Sequence, residues 1–225
     1  MAVNGLADRL ASVRASIADV ARDAGRDPNE LTTIVVTKFQ PASLVAQLAH
    51  LGVRDVGENR HQEGQAKAAE LAPLGLRWHF VGQLQSKKAK QVREYASVIH
   101  SVDRPALVDA LRSDEASVDC FVQVNLTDDP ARGGVPPSEL EALVTHVADT
   151  PGLRLLGLMA VAPLGEPARP AFAQVRVLSE RILRIVPEAR NLSMGMSHDF
   201  REAILEGATH LRIGSAITGN RPDAG

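Results

Sequence analysis

Short apolar segments alternate with amphipathic segments along almost the whole chain. The apolar segments are rich in β-branched residues and lack the regular polar alternation of a half-exposed strand. This pattern is typical of strands that are covered on both faces. We predict eight such strands, at 32–37, 53–57, 76–81, 97–102, 118–125, 153–160, 191–194 and 210–214.

The segments between these strands carry apolar residues at helical spacing. We predict helices within 44–51, 62–73, 86–96, 105–113, 137–149, 171–186 and 197–207. A further helix over 4–24 precedes the first strand, because apolar residues recur there every three or four positions. These residues are Leu6, Leu10, Val13, Ile17 and Val20.

The alternation of strands and helices predicts parallel strands joined by helical crossovers. Eight such units in 225 residues favour an α/β fold, a single (β/α)8 TIM barrel. The extra N-terminal helix is expected to cover the floor of this barrel. An open doubly wound sheet is the alternative, but no G-x-G-x-x-G follows the first strand. We therefore predict one barrel domain that spans residues 1–225.

Composition excludes several classes of function. Apolar residues make up 44% of the chain, charged residues 23%, and the net charge is −2, so neither a nucleic-acid nor an anionic-membrane binder is indicated. No apolar run reaches the roughly 20 residues that a membrane span needs. The single cysteine, Cys120, cannot form a disulfide within one chain. A cytoplasmic protein is therefore predicted.

Polar residues lie at or near the carboxyl ends of the predicted strands, and in a barrel these ends all meet at one mouth. They include Lys38, Asn59, His79, Ser193 and the segment 212–215. Any one of them is explained as a helix cap. Their recurrence around a single mouth instead favours a binding site.

The last two strand ends favour a phosphate site. Ser193, Gly195 and Ser197 follow the seventh strand, and Gly214 and Ser215 follow the eighth. Barrels often hold phosphate between these two loops, at the start of a short extra helix, which SAIT after Gly214 is expected to form. Glycines allow backbone N–H groups to approach an anion, and hydroxyl groups add donors. Two tight turns with capping serines are the alternative.

Lys38 ends the first strand, which lies beside the eighth when the barrel closes. A neutral lysine is a nucleophile toward aldehydes, and desolvation together with nearby Arg212 would favour the neutral amine. A lysine next to a phosphate site suggests pyridoxal 5′-phosphate held as a Schiff base, with Arg212 pointing at the ring. An exposed lysine at the start of a loop is the alternative.

Several segments resemble motifs of the pyridoxal phosphate homeostasis protein family. They are VVTKFQPAS, GENRHQE, WHFVGQLQSKKAK, HSVD, GLMAVAP and LSMGMSHDFREAILEGATHLRIGSAITG, in this order from about residue 31 onward. The resemblance implies a barrel like the N-terminal domain of alanine racemase, with pyridoxal phosphate on Lys38. It also implies that Ser193, Gly214 and Ser215 hold the phosphate and that Arg212 faces the pyridine nitrogen.

The same resemblance implies that Asn59 and His79 line the pocket. The residues expected at the cofactor are Lys38, Asn59, His79, Ser193, Gly195, Arg212, Gly214 and Ser215. No catalytic residue is assigned. No metal site is assigned either, since the seven histidines form no H-E-x-x-H motif and have no cysteine partner.

Arg212 argues against strong electron withdrawal by the ring. A guanidinium only donates hydrogen bonds, so opposite the pyridine nitrogen it disfavours protonation of the ring. The racemases that resemble this barrel use a tyrosine from a partner subunit and a second domain. Here Tyr95 lies in a helical segment, and the chain ends where that domain would begin.

We therefore predict a monomeric cofactor holder with a part in intracellular vitamin B6 homeostasis and no robust turnover. It would pass pyridoxal phosphate to apo-enzymes that accept it. Two alternatives stay open. One is an amino-acid racemase that uses Lys38 as a base, and the other is a phosphate-binding barrel isomerase without a cofactor.

Overall fold

Eight parallel strands form a closed barrel in a computed structural model that describes residues 2–127, 129 and 132–219, with side chains from residue 5. The strands are β1 (Thr32–Val36), β2 (Asp55–Glu58), β3 (Arg77–Phe80), β4 (Val98–Val102), β5 (Val118–Gln123), β6 (Leu153–Met159), β7 (Asn191–Ser193) and β8 (His210–Ile213). Each strand pairs with the next in sequence, and β8 pairs with β1. All eight predicted strands are confirmed, and no boundary differs from its prediction by more than two residues.

An α-helix follows each of the eight strands along the chain. The helices are α1 (Ala2–Asp23), α2 (Ala42–His50), α3 (His61–Glu70), α4 (Ala89–Arg93), α5 (Pro105–Leu111), α6 (Leu140–Asp149), α7 (Ala168–Ile182), α8 (Phe200–Leu205) and α9 (Ser215–Thr218). Short 3₁₀ helices lie at Pro28–Glu30, Ala72–Leu74 and Ser86–Lys88. The predicted (β/α)8 barrel and the short helix after Gly214 are thus confirmed. The ends of the predicted domain, residues 1 and 225, lie outside the described residues.

Helix α1 lies along the side of the barrel, so its predicted position across the floor is wrong. Near the mouth, Arg9 Nε donates to the carbonyl oxygen of Ile217 at 2.7 Å. At the other end, Arg26 Nη1 donates to the carbonyl oxygen of Ala208 at 2.7 Å. The predicted apolar stripe of α1 is buried, and α1 packs against α8 and α9. Because α9 has only 4 residues, it leaves the seam between β8 and β1 open to this helix.

Most buried apolar side chains lie in one cluster between the strands and the surrounding helices. Val98, Phe121 and Met159 form a second, smaller cluster. Trp78 and Phe80 belong to the first cluster, between the strands and the helices. Successive side chains of a strand point to opposite faces, so the residue between these two, His79, points into the barrel. None of the helices in the described part of the chain is long and apolar enough to cross a membrane.

Strand β6 contains a bulge that depends on a glycine. Cys120 pairs with Leu155 but Phe121 pairs with Gly157, so β6 carries one extra residue at this point. Gly157 has φ +150°, and a Cβ atom there would lie 1.8 Å from the carbonyl oxygen of Asn191 in β7. Only a residue without a side chain allows β6 and β7 to approach so closely.

We predict that Gly157→Ala lowers the free energy of unfolding by roughly 2–4 kcal/mol, from backbone strain and the clash with β7. Urea unfolding measures the change. Gly75→Ala is the matched control, because Gly75 also has a positive φ (+59°) but a Cβ there meets nothing within 4 Å. The control is expected to cost about 1 kcal/mol, and equal losses in both variants would contradict the role given to the bulge.

Candidate functional site

The seam between β1 and β8 brings the two predicted motifs together at the mouth. Val35 pairs with Ile213 across this seam. A Cβ atom on Gly214 would lie 3.6 Å from both the Cβ and the carbonyl oxygen of Val36. Lys38 is two residues beyond Val36, so its side chain starts close to the first residues of α9.

Lys38 itself is exposed, so the predicted desolvation of its amine is wrong for this structure. The turn after β1 carries the residue out of the packed core. Its Nζ atom lies 6.0 Å from the centroid of the Phe39 ring. The amine is therefore accessible from the mouth of the barrel.

A buried cluster holds the residue before Lys38. Thr37 Oγ1 donates to Glu58 Oε1 at 2.7 Å, and Lys67 Nζ donates to the same oxygen at 2.7 Å. Lys67 Nζ also donates to the carbonyl oxygen of Thr37 at 2.9 Å. We call Thr37, Glu58 and Lys67 the β1 clamp. Because all three side chains are buried, the clamp fixes the backbone from which Lys38 projects.

The residue after Lys38 is held as well. The Phe39 N–H donates to Glu63 Oε2 at 3.1 Å, and the guanidinium of Arg60 lies 4.8 Å from the centroid of the Phe39 ring. Phe39 has φ +66°, in the left-handed region that a bulky residue adopts only when its surroundings impose it. Backbone strain of this kind is concentrated at functional sites.

The carboxyl group of Glu58 lies in an unusual environment. Burial raises its pKa, although its hydrogen bonds with Lys67 and Thr37 act in the opposite direction. Its Oε2 atom has no hydrogen-bond partner among the described residues. Neither Glu58 nor Lys67 is among the residues predicted from the sequence, since their contact joins two elements and leaves no local pattern. The i, i+4 spacing of Glu63 and Lys67 was the one available signal.

The corner between β7, β8 and α9 offers several hydrogen-bond donors. Ser215 is exposed at the first position of α9. The Ala216 N–H donates to Ser197 Oγ at 3.4 Å, so this hydroxyl lies beside the helix start. Packing does not require a glycine at 214, because 3.6 Å is an ordinary contact distance for a Cβ atom. Backbone N–H groups and hydroxyls at one helix start suit an anion such as phosphate.

Ser193 and Gly195 were expected to lie at the phosphate. Both lie deeper in the barrel than the corner where Ser215 is exposed. Ser193 is fully buried, and its Oγ atom contacts Arg212 Nη1 at 2.6 Å and His100 Nδ1 at 2.8 Å. Gly195 has φ +93°, and a Cβ there would lie 2.6 Å from the Cβ of Ala203. Ser197, which the sequence pattern placed with these two residues in the phosphate site, lies nearer the corner.

Arg212 is 5% exposed and is held from two neighbouring strand ends. Nη1 donates to the carbonyl oxygen of Ser193 at 2.6 Å, and Nη2 donates to that of Ala160 at 2.9 Å. Burial lowers the pKa of Arg212 to about 10, so the guanidinium stays charged at neutral pH. A fixed cation therefore lies below the mouth.

The remaining two predicted residues differ in position. His79 is buried inside the barrel and contacts Asp55 Oδ1 and His100 Nε2, each at 2.9 Å. Asn59 is half-buried beside a cavity of about 180 Å³, and its Oδ1 atom has no partner among the described residues. No group of three or more His, Cys, Asp or Glu side chains that suits a metal ion is present in the part of the chain that the structure describes.

Comparison with known proteins identifies the family. The model of the alanine racemase N-terminal domain matches residues 10–222. A Pyridoxal phosphate homeostasis protein of Pseudomonas aeruginosa is 40% identical, over 96% of this chain and 96% of that protein. One of Mycobacterium leprae is 38% identical, over 93% and 90% of the two chains. The chain belongs to the pyridoxal phosphate homeostasis protein family.

Solved structures agree with this membership. PipY of Synechococcus elongatus, solved with PLP bound, is 36% identical and superposes with a TM-score of 0.84, over 95% of this chain and 100% of that one. Alanine racemase of Corynebacterium glutamicum is 16% identical, with a TM-score of 0.68 over 99% of this chain and 62% of that one. At this low identity the racemase supports the shared fold alone.

The β1 clamp predicts a strong coupling between Glu58 and Lys67. Lys67→Met removes the cation beside a buried carboxylate, and we expect the free energy of unfolding to fall by roughly 3–5 kcal/mol at pH 8. The loss should be smaller near pH 5, because burial raises the pKa of Glu58 and its neutral form needs no cation. Urea unfolding of Lys67→Met, Glu58→Gln and the double variant measures the coupling. A double variant whose loss equals the sum of the single losses would refute it.

Three buried histidines predict that stability falls in mild acid. Burial lowers the pKa of His79, holds that of His100 well below its usual range and lowers that of His210 to about 4. Below pH 6.5, the usual value, the unfolded chain therefore binds more protons than the folded chain. The free energy of unfolding should change little between about pH 7.5 and pH 8, before the thiol of Cys120 begins to ionise in the unfolded chain. As the pH is lowered further, the free energy of unfolding should fall by up to about 1.4 kcal/mol per pH unit for each histidine.

Glu58 acts in the opposite direction, because a raised pKa makes the folded chain take up a proton before the unfolded chain does. The Glu58→Gln variant removes this contribution and should show a steeper fall between pH 6.5 and pH 5. Urea unfolding at a series of pH values measures both profiles. A flat profile for Glu58→Gln would show that the histidines are not neutral in the fold.

Proposed function

We propose that this chain holds pyridoxal 5′-phosphate as a Schiff base on Lys38 and serves in vitamin B6 homeostasis without sustained turnover. The observation that carries the proposal is the position of Lys38. This exposed amine stands on a fixed turn, at the seam where β8 delivers Gly214 and Ser215. The family membership and the PLP-bound relative name the ligand.

The residues present suit this ligand. Lys38 Nζ would attack the aldehyde carbon, and a C=N bond would replace the C=O bond as water leaves. Gly214, Ser215 and the adjacent hydroxyl of Ser197 would bind the phosphate. Ser193 and Gly195 would act indirectly, through Arg212. The Ser193 hydroxyl contacts the Arg212 guanidinium, and the carbonyl oxygen of Gly195 accepts from the backbone N–H of Arg212 at 2.9 Å.

Arg212 would determine what the bound ring can do. The ring supplies an electron sink when its nitrogen is protonated. Arg212 is fixed below the mouth, charged, and able only to donate. A guanidinium at the ring nitrogen disfavours protonation there, which suits a protein that stores the cofactor.

We further propose that the barrel acts as one domain, as a cytoplasmic monomer, and delivers the cofactor to apo-enzymes. The described residues contain one free cysteine, Cys120, which is fully buried and whose pKa is raised to about 12 by burial. Such a thiol is unreactive, which fits a protein that depends on no disulfide. Neither a nucleic acid nor a membrane partner is proposed.

The racemase alternative gains no support from the single tyrosine of the chain, Tyr95. Tyr95 stacks on His61 with ring centroids 6.0 Å apart, and its hydroxyl is buried near Gly64. Burial raises the pKa of this phenol, which opposes a role as a base. Racemase activity would show as deuterium exchange at the α-carbon of an amino acid with a racemic product. Sustained turnover in that assay would overturn the storage proposal.

Lys38→Ala is predicted to abolish the visible absorbance of the Schiff base and to weaken pyridoxal phosphate binding at least about tenfold. Lys90→Ala is the matched control. Lys90 is exposed on α4 beside a different cavity, which Arg112 and Val118 also line, and its removal should leave absorbance and affinity unchanged. Titration followed by absorbance measures both variants.

Borohydride reduction of the loaded protein followed by peptide mass mapping locates the linkage independently. We expect a phosphopyridoxyl group only on the peptide that contains Lys38. An adduct on Lys67 or Lys88 in the wild-type protein would contradict the site. Failure of the wild-type protein to bind pyridoxal phosphate would favour the barrel isomerase without a cofactor.

A further inference from the structure

A continuous row of polar side chains crosses the interior of the barrel. It begins at the floor with the first residue of β2 and ends below the mouth on β8. In order, its members are Asp55, His79, His100, Ser193 and Arg212. We call these five residues the interior relay. The four successive contacts measure 2.9, 2.9, 2.8 and 2.6 Å, so each lies within hydrogen-bond distance.

The relay joins two opposite charges through neutral groups. The carboxylate of Asp55 lies at the partly exposed floor end, and the guanidinium of Arg212 lies at the buried mouth end. Between them, His79 is 1% exposed and both His100 and Ser193 are 0% exposed. Interiors of such barrels are usually filled by branched apolar side chains. A polar row of this length is costly unless every donor has an acceptor.

The donors and acceptors fit together in one direction, starting from Arg212. A guanidinium only donates, so Ser193 Oγ accepts from Arg212. The hydroxyl proton of Ser193 is then available for donation to Nδ1 of His100, which lies 2.8 Å away. A neutral imidazole that accepts at Nδ1 carries its proton on Nε2.

The same logic continues to the floor. His100 Nε2–H donates to His79 Nδ1, and His79 Nε2–H donates to the Asp55 carboxylate. A carboxylate only accepts, so the relay ends there. The Asp55 carboxylate alone imposes this direction. The Arg212 end is compatible with it but does not require it, because the Ser193 hydroxyl has two lone pairs and could accept from both of its neighbours. A second proton on His100 would turn its Nδ1 into a donor facing the Ser193 hydroxyl.

The surroundings also favour neutral imidazoles. Burial lowers the pKa of both histidines, and positive charge on Arg77 at the floor adds to the effect. For His100, Arg212 and His210 act in the same direction. Asp119 and Asp55 act in the opposite direction on His79, but burial is the larger effect.

We propose that Asp55, His79 and His100 are positioning residues that orient Arg212 toward the pyridine ring. The inference rests on the proposed function for the identity of the ring. Asp55 at the floor fixes the direction of every hydrogen bond in the relay. Ser193 consequently donates its hydroxyl proton to His100 and keeps both lone pairs for Arg212, so this contact adds to the two backbone carbonyls in holding the guanidinium in one orientation. The floor of the barrel thereby influences a cofactor that Asp55 does not touch.

The direction of the relay can be measured without any ligand. Long-range ¹H–¹⁵N spectra of histidine rings at about pH 7.5 report which nitrogen carries the proton. The His100 ring can be assigned through Phe121, which stacks on it with centroids 4.7 Å apart. We expect His79 and His100 to be neutral with the proton on Nε2. A proton on Nδ1 of His100, or a cationic ring at either residue, would overturn the inference.

Asp55→Asn tests whether the floor acts through the relay. An amide can donate as well as accept, so the direction is no longer imposed from the floor. We expect both tautomers of His100 to become detectable, although residue 55 does not contact His100. A purely local role of Asp55 would change the His79 signals and leave those of His100 unaltered, and that result would contradict the proposal.

The same variant should weaken pyridoxal phosphate binding by roughly five- to tenfold, the size expected when a charge-assisted hydrogen-bond network loses its anion. Asp109→Asn is the matched control, because Asp109 Oδ1 bonds His146 Nε2 at 2.8 Å on the exposed surface. The control should bind as the wild type does. Equal affinities for Asp55→Asn and wild type would refute the link to the cofactor. If the wild-type protein binds no pyridoxal phosphate, the proposed function fails and the ring spectra still decide the relay.

Discussion

The pairing of β8 with β1 is the constraint on which the candidate site depends. It closes the barrel and joins two segments that lie more than 170 positions apart in sequence. One carries an amine on a turn, and the other carries a glycine, hydroxyl groups and the start of a short helix. Neither segment makes a binding site alone. Helix α1 covers this seam from outside, where α9 is too short to do so.

Two buried networks support the mouth from below, and they act on different parts of the site. The β1 clamp fixes the backbone on one side of Lys38, and Glu63 fixes it on the other through Phe39. The interior relay holds Arg212. Buried charges of this kind contribute little to stability by themselves. The free-energy cost of burying these charges is explained if they orient the groups that meet a ligand. The backbone strain at Phe39, next to Lys38, agrees with such a role.

Sequence patterns predicted the barrel well because its strands are short apolar runs that are buried on both faces. They also indicated the seam, since the motifs at Lys38 and Gly214 follow the first and last strands. They did not predict the path of α1, which depends on the space left by α9. The position of His79 inside the barrel was not predicted, although the sequence contained a signal for it. Its neighbours Trp78 and Phe80 are large and apolar and face the surrounding helices, so the residue between them must point inward. The contact of Glu58 with Lys67 joins a strand to the following helix, and it depends on how the two pack, which the sequence pattern does not specify.

A crystal structure of this chain grown with pyridoxal 5′-phosphate is the most direct test of the central claim, that the seam between β1 and β8 binds the cofactor. The account predicts electron density that is continuous from Lys38 Nζ to the ring, with the phosphate against Ser197 and Ser215. A phosphate bound instead in the cavity near the floor that Arg14 and Arg54 line would contradict it. Density for a ring that is not joined to Lys38 would do the same.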